Sequence, residues 1–303
     1  MSISKLLIFV AVAAFTAPIL HGEKHCPGNV PSVPLNVVQG ALIVVPVTVN
    51  GIGPFEFLVD TGAQITTVDS QLAAQLDLRP TESTGFSGVA SYARRALLQL
   101  GQMEIGGHRA NNVLAVIDQL TQLHAADRNI RGIAGEDFLT HFDLLIDNDR
   151  RMLCLDESGA MAAAVKGAHV ALAQPYGTDH DLPFTRPLVV EARIDGNGNP
   201  LLFRLDSGSN APVVYGRPQA QNNRPANTQI LKRVVDGVEQ DFAVLKPHDV
   251  AVGRDKLHQV TFVQPLNSVG EVRAPREDGV LPTFMFQTVF VSYRNQFAIL
   301  EPR

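Results

Sequence analysis

Short runs in which apolar and polar residues alternate are separated along this chain by tight clusters of Gly, Pro and Asn. A period of two predicts β-strands, and the clusters predict the turns that join them. Val45-Pro46-Val47-Thr48-Val49-Asn50-Gly51, a turn through Gly53-Pro54 and the apolar run Phe57-Leu58-Val59 read as one hairpin. Val189-Val190-Glu191-Ala192-Arg193-Ile194-Asp195-Gly196, a turn through Gly198-Asn199-Pro200 and Phe203-Arg204-Leu205 read as another. One helix in the first half has the required spacing: Asp69 or Ser70 caps Gln71 to Leu76, with Leu72 and Leu76 on one face. The matching stretch of the second half, Gly216 to Asn227, is rich in Pro, Gln and Asn and reads as an irregular loop.

The hairpins recur in a fixed order. Ile105-Gly106-Gly107 and Val252-Gly253-Arg254 open turns 147 residues apart, closing on Asn112 to Val116 and Gln259 to Val263. Gly132-Ile133-Ala134-Gly135 and Gly279-Val280-Leu281-Pro282 follow at the same offset, then Leu144-Leu145-Ile146-Asp147 and Val289-Phe290-Val291-Ser292. Such order at near-constant offset reads as the tandem duplication of a strand-rich unit. The expected class is therefore all-β with a few short helices. The expected divisions are 1–22 as a leader, 23–35 as a tail, 36–157 as the first unit, 158–169 as a linker and 170–303 as the second unit. Ala162 to Val165 in the linker is expected to form a helical turn.

Composition changes this picture little. The chain has 303 residues, 45% hydrophobic and 18% charged, with net charge −5. That length suits two domains, and the acidic balance gives no basic stripe for nucleic acid. Lys5 followed by the apolar run Leu6 to Leu20 resembles a cleaved export signal, too short for a comfortable membrane span. The mature chain is then expected to be secreted or periplasmic, with no stable membrane span. Its two cysteines, Cys26 and Cys154, can form a disulfide in an oxidising compartment. The alternative is that Cys154 is a small buried hydrophobe and Cys26 lies on a loose tail.

Candidate chemistry sits where two apolar strands end. The first runs into Asp60-Thr61-Gly62-Ala63 and the second, 146 residues later, into Asp206-Ser207-Gly208-Ser209. One such turn is commonly no more than a strand end, since Asp caps nearby N–H groups and Gly relaxes the backbone. A pair is different, because hydrolysis without a metal or a covalent nucleophile needs two carboxylates sharing a site, one ionised and one protonated. The nine histidines form no His-Glu-x-x-His pattern, and Gly-x-Ser-x-Gly is absent. Metallohydrolase and serine-hydrolase readings are accordingly not supported.

With these motifs, and with Gly85-Phe86-Ser87-Gly88-Val89 and Ile133-Ala134-Gly135-Glu136-Asp137-Phe138-Leu139 downstream, the chain resembles the retropepsin-like aspartyl proteases. Because the pattern occurs twice, residues 36 to 303 resemble a bilobal, pepsin-like enzyme. The resemblance implies two closed β-barrel lobes with a cleft between them and a catalytic dyad of Asp60 and Asp206. Thr61, Gly62, Ser207, Gly208 and Ser209 would support it, and no cofactor or metal is called for. The implied activity is that of an endopeptidase acting on a peptide or protein substrate, for which a monomer suffices. Flap positions would be Gly85, Gly88 and Tyr92 in the first lobe and Gly237 in the second, although Tyr92 reads equally as a surface tyrosine.

The second half departs from the first. Pro282 stands where Gly135 stands, and Thr283-Phe284-Met285 replaces Glu136-Asp137-Phe138. Arg204 and Arg131 lie near the two motifs, and either perturbs the dyad if it turns inward. This asymmetry is the basis of an alternative, a catalytically impaired relative that binds peptides in its cleft without cleaving them. Ser209 offers Asp206 a hydroxyl that Ala63 cannot offer Asp60, so Asp206 is expected to be the more easily ionised member.

Overall fold

A computed structural model describes residues 25–87, 92–176, 187–196, 198–215, 229–235, 238–266 and 276–303. Residues 1–22, expected to be an export signal, and 216–227, expected to be a loop, like Gly88 and Gly237, therefore lie outside the described residues. The chain is mostly β-strand with a few short helices, so the all-β expectation holds. Three sheets account for the strands.

The first sheet runs Asn36–Val38, Leu42–Val49, Ile52–Val59, Ile130–Ala134, Thr66–Asp69, His108–Asp118, Tyr92–Ile105 and Glu82–Ser87. A further pairing of Val47 with Ile105 joins Leu42–Val49 to Tyr92–Ile105, closing six of these strands into a ring. The second sheet centres on Val189–Ile194, Leu201–Asp206 and Gly279–Pro282, with Val213–Val214 beyond. It has no closing pair among the described residues.

The two halves share a pairing pattern. Val59 pairs in parallel with Ala134, and Leu205 pairs in parallel with Leu281. A side chain at Gly132 would strike the Phe57 ring at 2.2 Å, and one at Gly279 would strike the Phe203 ring at 2.6 Å. Each half thus packs an aromatic residue of its acid-bearing strand onto a glycine of the neighbouring strand, leaving no room for Cβ.

The third sheet takes strands from both halves in the order Ser32–Val33, Met152–Asp156, Asp143–Asp147, Phe286–Ser292, Phe297–Pro302 and Val170–Ala171. At its centre Leu144 lies opposite Val291 and Ile146 opposite Val289, in antiparallel pairing. These are the landmark strands of the two units, paired with each other. Their apolar faces join a single core that runs from Val45 and Phe57 through Leu144 to Phe203 and Leu205. Cys26 and Cys154 are joined by a disulfide, with Cα atoms 6.1 Å apart. Ser32–Val33 adds to the sheet edge beside Cys154, so the tail is built into the fold.

Helices form at Ser70–Gln75, Thr121–Ala126, Glu136–Leu139 and Ala160–Ala164. In the first, Leu72 is buried as the spacing requires and Leu76 packs against the core. Asp69 is the N-cap by position but makes no side-chain cap bond, because its carboxylate accepts from Arg131 at 3.0 Å. No helix among the described residues is long and apolar enough to cross a membrane.

Candidate active site

Each acidic turn begins where a strand leaves its sheet. The N–H of Asp60 donates to the Ala134 carbonyl (3.0 Å), and Asp206 ends the parallel run beside Gly279–Pro282. The two turns meet. Thr61 Oγ1 donates to the Leu205 carbonyl (2.8 Å) and accepts from the Ser207 N–H (3.0 Å). Ser207 Oγ donates to the Val59 carbonyl (2.8 Å) and accepts from the Thr61 N–H (3.0 Å). Four reciprocal bonds in a buried junction fix the distance between the strands that carry the acids, because none of the four groups has water to fall back on.

A Cβ on Gly62 would lie 2.5 Å from the Asp206 carboxyl carbon, and one on Gly208 would lie 2.4 Å from that of Asp60. Each carboxylate therefore rests on the bare backbone of the opposing turn. Asp60 and Asp206 hydrogen-bond each other through their side chains. Like charges in contact cannot both persist, so the pair holds a shared proton.

The pair is not symmetric. Asp60 Oδ1 accepts from the N–H groups of Gly62 (2.8 Å) and Ala63 (3.1 Å), whereas Asp206 Oδ1 accepts from Gly208 alone (2.7 Å). Loss of hydration raises both acids, and for Asp206 the neighbouring Asp60 charge pushes it well above the ordinary range. The extra backbone donor favours the ionised form of Asp60 over that of Asp206, the reverse of the order expected from Ser209. The reason is local: the Ser209 hydroxyl donates to the Ala211 carbonyl at 2.9 Å, within its own turn. The second backbone donor falls to Asp60.

Behind the first turn, Thr66 donates to Asp137 Oδ1 from both its N–H and its hydroxyl (2.8 Å each), and its hydroxyl accepts from the Gly135 N–H (3.3 Å). Burial pushes Asp137 up to about 7 against these bonds. In the second half the corresponding residues, by strand register, are Pro212, Phe284 and Pro282. Pro282 lacks the N–H that would need a hydroxyl, and Pro212 lacks the hydroxyl. One half braces its turn with polar groups and the other with apolar ones, and the Asp206–Pro282 pairing survives the exchange.

Arg204 and Arg131 take opposite directions. Arg131 pairs with Asp69 (3.0 Å) in a polar pocket at the end of its strand away from Gly135. Arg204 turns inward. Its Nη1 donates to the Gly62 carbonyl (3.2 Å) and to Glu136 Oε1 (3.0 Å), while Nε and Nη2 donate to Glu277 Oε1. No local pattern in the chain assigns a role to Glu136 or Glu277. The signal available was a charged residue within an otherwise apolar run, Phe203-Arg204-Leu205.

Of the flap positions, Gly85 and Tyr92 lie in paired strands, Glu82–Ser87 and Tyr92–Ile105, with Ser87 opposite Tyr92. Strands Ile230–Val235 and Val238–Val244 likewise pair antiparallel, with Val235 opposite Val238.

An all-β chain in which two Asp-Thr/Ser-Gly turns press their carboxylates together supports an aspartyl protease family, hence a peptidase. Residues 45–138 match the family model for aspartyl protease, a stretch that contains Asp60, Gly135 and Glu136. The second acidic turn lies outside that match. No curated protein matches the chain.

Proposed function

We propose that the chain is an exported aspartic endopeptidase whose two halves act as the paired lobes of a pepsin-like enzyme. The observation that carries this reading is the contact of Asp60 with Asp206 across four reciprocal Thr61–Ser207 bonds. Ionised Asp60 takes a proton from a water molecule, whose oxygen attacks the peptide carbonyl carbon. Protonated Asp206 gives its proton to the carbonyl oxygen. Collapse of the resulting gem-diol breaks the C–N bond: Asp60 gives its proton to the leaving nitrogen, a gem-diol hydroxyl returns a proton to Asp206, and a carboxylic acid and an amine leave. The leader, the disulfide and the oxidising conditions a disulfide requires support a secreted or periplasmic site of action. A complete dyad within one chain supports a monomeric enzyme.

The test is cleavage of an unfolded protein between pH 3 and 7, with and without a statine-type inhibitor. Asp60→Asn and Asp206→Asn should each lower kcat/KM by at least about a thousandfold, the scale of lost acid–base catalysis. Cleavage that survives either substitution would reject the dyad.

A further inference from the structure

The guanidinium of Arg204 occupies a position that the acid–base chemistry does not use directly. Arg204 precedes Asp206 by two residues on Leu201–Asp206, yet its side chain reaches the opposite turn and ends on the carbonyl of Gly62. Gly62 is the residue on which the Asp206 carboxyl rests. The same guanidinium joins Glu136, at the start of Glu136–Leu139 in the first half, to Glu277, just ahead of Gly279–Pro282 in the second. Its side chain is 10% exposed, and those of Glu136 and Glu277 are 0% and 9%.

The arrangement is one-sided. The residue two positions before Asp60 is Leu58, buried with Leu42, Val44 and Ile130, and Thr283 stands where Glu136 would recur. The equivalent pair, Leu58 of the first half and Thr283 of the second, is uncharged. A lone buried cation is costly unless each donor is met, and here the fork is shared by two carboxylates and a carbonyl. Its position relative to the dyad gives that cost a use.

Resting on the dyad reading above, we infer that Arg204 is a positioning residue for the acid–base pair: it clamps the carbonyl of Gly62, the residue on which the Asp206 carboxyl rests, and places a cation beside the pair. The groups facing it are Asp60 and Asp206 from the two turns, Glu136 from the short helix, Glu277 from the second sheet and Tyr293 from the end of Phe286–Ser292. Asp137, next to Glu136, completes the set. Arg204 is the cation among them. Its charge draws both dyad acids downward, against the burial that raises them. Without it both members should bind protons more tightly, and the activity bell should move to higher pH.

The experiment compares the full chain with R204M/E277Q, which removes the cation together with its buried counter-charge, and with R204K. Two readouts are taken: the pH profile of kcat and KM, and the carboxyl carbon-13 titration of Asp60 and Asp206, which needs no turnover. R204M/E277Q should titrate its dyad about one pH unit higher, the scale of one lost neighbouring cation, with the acid limb of kcat following. Its kcat should fall about tenfold with KM little changed, because a carboxylate has lost its seat. R204K, which keeps the charge without the fork, should keep the titration and lose kcat.

A folded R204M/E277Q whose dyad titrates with the parent overturns the inference. If that variant does not fold, an R204K enzyme with the parent's kcat overturns it. A parent chain that cleaves nothing while its dyad moves as expected in R204M/E277Q would remove the peptidase reading and leave the role of Arg204 intact.

Discussion

Thr61 and Ser207 are each other's hydrogen-bond partners across the two acidic turns, each backbone N–H donating to the other's hydroxyl at 3.0 Å. Each hydroxyl also donates onward to a carbonyl of the opposite strand. Thr61→Val keeps the shape but strands the Leu205 carbonyl and the Ser207 N–H in a dry junction. Each of Thr61→Val and Ser207→Ala should cost about 1–3 kcal/mol in denaturant unfolding, the penalty for unmet buried groups. The double variant should cost less than the sum, because the hydroxyls serve one junction. Thr61→Ser, which restores the hydroxyl, should stay near the parent.

Gly62 and Gly208 are required by the carboxylates more than by the turns. Alanine at position 62 would place its methyl 2.5 Å from the Asp206 carboxyl, and alanine at 208 would place it 2.4 Å from that of Asp60. Either acid would have to move by about an ångström, a displacement that lowers turnover by about a hundredfold. We expect Gly62→Ala and Gly208→Ala to fold with near-parent circular dichroism and to lose about that much kcat/KM on an unfolded protein substrate.

The hairpins, the duplication and the paired acidic turns were legible because they rest on local rules: period-two alternation, turn residues, and a motif met twice. The pairing of Asp143–Asp147 with its own counterpart Phe286–Ser292 was not, since no local pattern says which strands become neighbours. Arg204 could not be assigned a direction because both faces of Leu201–Asp206 are buried, so alternation carries no inside or outside. Ser209 was misjudged for a related reason. A short hydroxyl bonds the nearest acceptor its turn offers, and the turn placed the Ala211 carbonyl there. The helix Glu136–Leu139 is shorter than the period needed to recognise one.

The disulfide closes a long loop, its cysteines 128 residues apart in sequence, and pins the tail to the edge of the six-stranded sheet. Removing it frees that length of chain in the unfolded state. The variant C26S/C154S should lose about 2–5 kcal/mol of stability, as should the reduced parent. Because the bridge lies at a sheet edge and the dyad is fixed by Thr61 and Ser207, kcat of the folded fraction should be unchanged at low temperature. A kcat that falls together with stability would mean that the tail positions the site.

Glu136 links stability to pH. It is fully buried, its Oε1 accepts from Arg204, and its Oε2 has no hydrogen-bond partner among the described residues. Burial pushes its carboxyl from 4.5 up to about 8 despite the pull of Arg204. An acid whose folded value lies above its unfolded value binds its proton more tightly when folded. The stabilisation is therefore complete below about 4.5 and is lost as pH rises through about 8. Asp60 and Asp206 are shifted in the same direction and add to this slope. Unfolding free energy measured in urea should fall from pH 5 to pH 9 by an amount of order 1–3 kcal/mol that Glu136→Gln removes. Glutamine keeps an acceptor for Arg204 and cannot ionise, so the variant should gain on the parent only on the alkaline side. Parallel curves for parent and variant would show that Glu136 titrates near its ordinary value, and that Arg204 fully compensates its burial.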